Sequence, residues 1–209
     1  MSDLLSDLEE SIIGIDIDKA EAVANQLVEK KEDPDKIIAA ITSAMDVVGK
    51  KFQDEEYYLT ELVMAGEIVK SILSIVEPLL KSEEKGPQIT IVVGTVQGDL
   101  HDLGKNIFVT FARSAGFKVV DLGNDVPVET FIDAVKRENA KVLGLSCLLT
   151  ATDKELGKVI EALKKEGLRD KVMVIIGGAA VTEELVKEIG GDAFAPDAIT
   201  GLQQIKEWL

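Results

Sequence analysis

The stretch TVQGDLHDLGKNI, residues 95–107, holds the only histidine of a 209-residue chain, His101. Asp99 stands two positions before it, and Gly98 and Gly104 lie three residues to either side. A carboxylate at that spacing reaches one imidazole nitrogen if the loop turns between them. Such a bond fixes the tautomer and makes the other nitrogen a better donor to a metal. One histidine does not make a zinc site, which draws three or four protein ligands, and no Cys/His cluster accompanies it. The arrangement suits a metal that arrives with most of its ligands in place and leaves one axial position to the protein, as a tetrapyrrole-type cofactor does. Asp102 reads as a solvated residue or a partner of a helix N-terminus.

The elements that must position these residues follow two grammars. Up to residue 85 the pattern is helical. Apolar stripes mark residues 4–13 and 20–27, and a longer helix follows Asp33 and Pro34, with Ile37, Ile41, Met45, Val48 and Phe52 on one side. A fourth spans residues 59–80, with Pro78 expected to kink or end it. Residues 81–88, KSEEKGPQ, read as a linker. Beyond them ITIVVGTV, KVVDLG, KVLGLS and VMVIIGG are short apolar strands that alternate with helical patterns, and residues 192–195 and 199–209 supply a last strand and helix. The expected architecture is an all-α four-helix bundle, residues 1–85, followed by an α/β flavodoxin-like (Rossmann-like) parallel five-stranded domain, residues 86–209.

In an open parallel sheet, ligands bind beyond the carboxyl ends of the strands, where strand order reverses. For the order 2-1-3-4-5 that crevice lies between the first and third strands. The loops flanking it are QGDLHDLG and SCLLTAT, so Asp99, His101, Ser146, Thr150 and Thr152 border one crevice. Cys147 reads as a small core residue.

Composition narrows the partners. A formal charge of −15 repels nucleic acid and anionic membranes, and the acidic residues are spread over helical faces. The single cysteine allows no internal disulfide and fits a reducing compartment. No signal-peptide pattern and no apolar run near ~18 residues occurs, so a soluble cytoplasmic protein is expected, with no nucleic-acid or membrane partner.

These residues resemble the cobalamin-binding (corrinoid) proteins of methyltransferase systems, related to the cobalamin-binding region of cobalamin-dependent methionine synthase. That family's Asp-x-His-x-x-Gly signature stands here as Asp99-Leu-His101-Asp-Leu-Gly104, its Ser-x-Leu element as Ser146-Cys-Leu148, and its later Gly-Gly as Gly177-Gly178. GKNI and VDLGNDVP also look like the family, and the helical half, with VGKKFQDEEYYLTELVMAGEIVKSI, is similar to the four-helix cap that precedes the cofactor domain there. The resemblance implies cobalamin, with His101 ligating cobalt from below in place of the cofactor's own dimethylbenzimidazole. Asp99 and Thr152 would complete a hydrogen-bond relay with His101. Ser146 and Thr150 would contact the displaced nucleotide tail, Leu148 would border the cofactor, and Gly104, Gly177 and Gly178 would permit close approach. Tyr58, Leu59 and Ile68 would cover the upper face, and Thr60 stands where the family often has proline.

The function so implied is that of a methyl carrier. It works between a donor-specific methyltransferase and one that passes the methyl group to tetrahydrofolate or a thiol, and a reductive activator of Co(II) is a further partner. On that reading the chain is not catalytic without its partner enzymes, and residues 81–88 are a hinge that lets the cap move aside. A cobalamin-dependent sensor or regulator would use the same parts but needs an output module, and no helix-turn-helix is evident. A phospholigand domain would carry a G-x-G-x-x-G loop after the first strand, which TVQGDLHDLGKN lacks. A mutase would need a barrel of ~250 residues.

Overall fold

The computed structural model describes residues 4–80 and 89–209, with the backbone alone at 77, 78 and 80. The chain divides into two compact units, residues 1–87 with 113–116 and residues 88–112 with 117–209. The linker and hinge expected at residues 81–88, and with them the boundary at 85–86, lie outside the described residues.

The first unit contains α1 (Leu4–Ile13), α2 (Ile17–Glu29), α3 (Pro34–Gln53) and α4 (Leu59–Leu80). Asp16 caps α2 by accepting from the Lys19 N–H, which starts this helix three residues before the apolar periodicity does. Asp33 accepts from the Asp35 N–H ahead of Pro34, whose missing N–H costs nothing in a first helical turn. α4 continues past Pro78 to Leu80, the last residue described before the linker. α1 packs on α2 and α3, and α4 on α2 and α3. Leu8, Ile12, Leu27, Ile37, Ile41, Met45 and Ile72 are fully enclosed, so each helix contributes one apolar stripe to a single core. The Tyr57 hydroxyl donates to the Ile13 carbonyl and ties the α3–α4 turn to the end of α1.

The second unit is a parallel five-stranded sheet, as the alternating pattern predicts, and its order is the flavodoxin-like β2-β1-β3-β4-β5. Its strands are β1 (Thr90–Thr95), β2 (Lys118–Asp121), β3 (Val142–Ser146), β4 (Met173–Gly177) and β5 (Ala193–Ala195). The crossovers are α5 (Leu103–Ser114), α6 (Val128–Glu138), α7 (Asp153–Lys165) and α8 (Glu183–Ile189), and α9 (Ala198–Trp208) follows β5. The register sets Thr95 opposite Ser146 and Ser146 opposite Gly177, so the carboxyl ends of β1, β3 and β4 finish level. On one sheet face Val92, Leu143, Leu145, Val174 and Ile176 meet Phe131 of α6, Leu156 and Ile160 of α7 and Val186 of α8 in a continuous core. That face is closed. Among the described residues no helix is long and apolar enough to cross a membrane.

Gly94 of β1 shows how tightly that face is filled. A Cβ there would lie 2.8 Å from Cε1 of Phe131, a ring with 0% exposure and nowhere to move. Gly94→Ala is expected to destabilise by about 1–3 kcal/mol through overpacking. In urea titrations the midpoint should fall without a change in slope, and the cost should shrink when Phe131→Leu is added; independent, additive effects would contradict the contact.

Candidate functional site

The loops after β1 and β3 meet at one carboxylate. Asp99 has 0% exposure. Its Oδ1 accepts from the His101 backbone N–H at 3.0 Å and lies 2.7 Å from His101 Nδ1. Its Oδ2 accepts from the backbone N–H groups of Leu148 at 2.6 Å and Leu149 at 3.1 Å. An ionised carboxylate offers about four lone-pair sites, so its capacity is filled. Burial alone would raise its pKa, but the donors from His101, Leu148 and Leu149 outweigh that effect and hold the carboxyl below its ordinary value. An ionised carboxylate can only accept, so Nδ1 carries a proton, and in the neutral ring Nε2 keeps the free lone pair. The His101 side chain is 52% exposed, and among the described residues nothing hydrogen-bonds Nε2.

The segment carrying Asp99 and His101 has no regular structure and is held from outside. Thr95 Oγ1 donates to the His101 carbonyl at 3.1 Å, and Asn124 Nδ2 donates to the Leu100 carbonyl at 3.1 Å. The Asp125 N–H donates to the Asp99 carbonyl at 2.9 Å, and the Gly98 N–H donates to Asp125 Oδ1 at 2.7 Å. Asp102 stands just before α5, and its carbonyl accepts from the Asn106 N–H at 2.8 Å. Lys105, one turn into that helix and buried, donates to both Asp121 oxygens at 2.8 and 2.9 Å, while Asp121 accepts from the Gly123 N–H. The β2–α6 loop is thereby joined to α5 as well as to the histidine loop.

Beside this junction a cleft of about 300 Å³ opens on the sheet face opposite α6–α8, between α5 and α9. Its floor is two rows of the sheet register: Val93, Gly144 and Ile175, then Ser146, Gly177 and Ala195. Phe108 and Lys105 line it from α5, and Pro196, Ala198 and Gly201 from the start of α9. Small residues make the space. A Cβ on Gly177 would stand 2.8 Å from the Ala195 carbonyl oxygen, and one on Gly178, at φ +121°, would stand 2.1 Å from that of Cys147. At Gly104 a Cβ would meet nothing within 4 Å, so a side chain there would project into open space at the cleft's edge.

Ser146, Leu148, Gly104, Gly177 and Gly178 therefore line one cleft, while Asp99 and His101 form the junction beside it. The cleft extends two strands further, past β4 to β5, than a crevice between β1 and β3, because Gly144 and Gly177 lower the floor there. Thr150 is exposed on the β3–α7 loop and is not part of the lining. Thr152, expected as the third member of the relay, donates its hydroxyl to the Leu149 carbonyl at 2.9 Å and lies 3.4 Å from Cys147 Sγ. The oxygens of Asp99 have no lone pair left for it, and Thr152 braces the loop whose N–H groups they accept. Burial raises the pKa of the Cys147 thiol, although its hydrogen bond with Thr152 opposes the shift, and the side chain is enclosed as expected of a core residue.

In the first unit Tyr58 and Leu59 are 69% and 47% exposed at the start of α4, whereas Ile68 is buried with Leu62, Ala65, Val69 and Ile72 along that helix. Gly144, Ala195 and Gly201 were not among the site residues expected from the sequence, and Asn124 and Asp125 entered only within VDLGNDVP, with no role assigned. Gly144 had a signal, since glycine inside a strand marks a close approach.

The donor set tests the cofactor directly. Among the described residues no group of three or more His, Cys, Asp or Glu side chains could hold a metal ion. One outward Nε2 beside a cleft floored by glycines fits an ion already held in a macrocycle that carries a tail, and does not fit a bare ion.

Comparisons with known proteins agree. A family model described as a B12 binding domain matches residues 89–202, and another of the same description matches residues 4–77. The chain is 36% identical over 208 residues to the dimethylamine corrinoid protein of Methanosarcina barkeri, covering 99% of this chain and 98% of that one. A cobalamin-binding protein from Desulfitobacterium hafniense DCB-2 has a similar structure, with a TM-score of 0.80 at 36% identity over 99% of this chain and 98% of the other. The methanol:cobalamin methyltransferase complex of Methanosarcina barkeri matches with a TM-score of 0.83 at 26% identity, over 98% of this chain and 79% of the other.

Asp99→Asn tests the junction. The amide turns one acceptor into a donor facing N–H groups, and the expected loss is about 1–3 kcal/mol at neutral pH. Because folding lowers the Asp99 pKa, its contribution is fully present above the unfolded value and is lost as pH falls through the folded one. The stability gap between wild type and Asp99→Asn should narrow as pH falls below about 4. A gap that widened below about pH 4 would refute the ionised, hydrogen-bonded carboxylate.

Proposed function

The chain belongs to the B12-binding corrinoid proteins of methyltransferase systems, and from that membership we propose that it carries a methyl group on bound cobalamin between two methyltransferases, with His101 Nε2 as the lower ligand of cobalt. The observation that carries this reading is the 2.7 Å contact between His101 Nδ1 and a buried, ionised Asp99, which leaves Nε2 without a hydrogen-bond partner among the described residues in a half-exposed ring.

Bound cobalamin supplies a cobalt centre that takes up and releases the methyl group. The protein's part is to hold and tune one nitrogen. Asp99 keeps the proton on Nδ1, so Nε2 of the neutral ring would be the donor to the metal. Ser146, Leu148, Gly104, Gly177 and Gly178 accommodate the nucleotide tail in the adjoining cleft, whose floor of Gly144 and Gly177 admits it against the backbone.

The methyl donor enters with a donor-specific methyltransferase. The acceptor enzyme delivers the group to tetrahydrofolate or a thiol, and a reductive activator restores the cofactor after oxidation. Donor specificity resides in those enzymes.

Refolding with hydroxocobalamin, followed by gel filtration, should leave near-stoichiometric cobalt on the protein. His101→Ala should retain part of that cobalamin and lose the nitrogen superhyperfine splitting of the Co(II) electron paramagnetic resonance spectrum. Unchanged splitting would refute the ligand assignment, and absence of cobalt from folded wild-type protein would refute the cofactor role.

A further inference from the structure

We infer that Asp125, on the loop after β2, is a positioning residue for His101: it clamps residues 98–101 in the conformation that turns Nε2 outward. This deepens the cofactor reading above and rests on it.

The segment from Gly98 to His101 is ordered by hydrogen bonds to its peptide groups, and Asp125 supplies two of them. Its carboxylate accepts from the Gly98 N–H at 2.7 Å and its own N–H donates to the Asp99 carbonyl at 2.9 Å, so one residue grips the chain on either side of the Gly98–Asp99 peptide. Asn124 and Thr95 hold the next two carbonyls, those of Leu100 and His101. The clamp needs a particular backbone. Asp125 has φ +51°, in the left-handed region where Asp and Asn are tolerated far better than most L-residues. Gly98, at φ +82°, is the other half of the match: a Cβ there would lie 3.1 Å from Thr152 Cγ2.

Burial and exposure divide the segment in a way that requires such a clamp. Asp99 is fully enclosed, whereas Leu100 is 69% exposed and the His101 side chain 52%. Packing cannot orient groups that stand half in water. Their direction is set by the backbone beneath them, together with the Asp99 contact to the imidazole, and Asp125 holds that backbone. Asp125 bonds only main-chain atoms of this segment and acts through Asp99 and His101.

Two substitutions separate its roles. Asp125→Asn keeps an oxygen acceptor and a residue type at ease with positive φ. Asp125→Gly keeps the backbone freedom and removes the acceptor. The chain's single histidine allows a direct readout in cofactor-free protein without a histidine tag: the imidazole nitrogen-15 signals at about pH 8, above the ordinary imidazole range. Wild type and Asp125→Asn should show a protonated Nδ1 and a bare Nε2, and Asp125→Gly a mixture of tautomers. After refolding with hydroxocobalamin and reduction to Co(II), the ratio of nitrogen-ligated to unligated cobalt should fall roughly tenfold in Asp125→Gly, a change of about 1.4 kcal/mol, and stay within about twofold in Asp125→Asn. Thermal midpoints and retained cobalt, recorded on the same samples, separate this effect from unfolding. Wild-type tautomer and ligation in Asp125→Gly would overturn the inference. Loss of cobalt from every form, wild type included, would overturn the cofactor reading instead, and the tautomer comparison would still decide the role of Asp125.

Discussion

A carboxylate taken fully out of water is tolerated only when its hydrogen-bonding capacity is met, and Asp99 meets this condition with donors from two loops. Two come from His101, its near neighbour in the chain. The others come from Leu148 and Leu149, 49 and 50 residues away. A side chain does not close a loop of that length by itself. The pairing of β1 with β3, which levels Thr95 with Ser146, brings the donors within reach and leaves the carboxylate only the final fit. The parallel sheet is thus a precondition of the ionised Asp99, and the ionised Asp99 is what assigns the proton on His101.

The same register explains why a cleft lies beside the histidine. Side chains alternate across a strand, so Val92, Leu143 and Val174 enter the closed core while Val93, Gly144 and Ile175 face the other way. On the closed face, large side chains from α6 to α8 fill the space, to the point that Gly94 has no room for a methyl group above Phe131. The opposite face carries glycine and alanine between α5 and α9, and the result is free volume at the level where the strands end. Gly178 is the extreme case, since at φ +121° its backbone passes over Cys147 so closely that any side chain would collide with the main chain.

The acidic composition conceals two kinds of residue. Many carboxylates sit on exposed helix faces in ion pairs such as Lys187 with Glu183, which contribute little. Asp99, Asp121 and Asp125 instead accept N–H donors or an ammonium group inside the loop cluster, and each joins segments that the chain separates. Net charge predicts what such a surface repels; it does not distinguish the carboxylates that build the site.

The sequence by itself determined the two halves, the alternation of strands with helices and the Asp99–His101 pair. Apolar periodicity, caps such as Asp33 and a spacing of two residues are local properties, set by neighbours in the chain. Ser146, Leu148, Gly104, Gly177 and Gly178, which the family resemblance pointed to, line one cleft in the folded chain. Only the tertiary structure decided the rest. Thr152 gives its hydroxyl to Leu149, Ile68 is buried along α4, the cleft reaches across to β5, and Asp125 grips the histidine loop from 27 residues away. Each of these depends on which atoms the folded backbone brings within about 3 Å, and on which lone pairs earlier donors have already filled. Residue type and spacing do not encode that competition, because it exists only after the strands have paired.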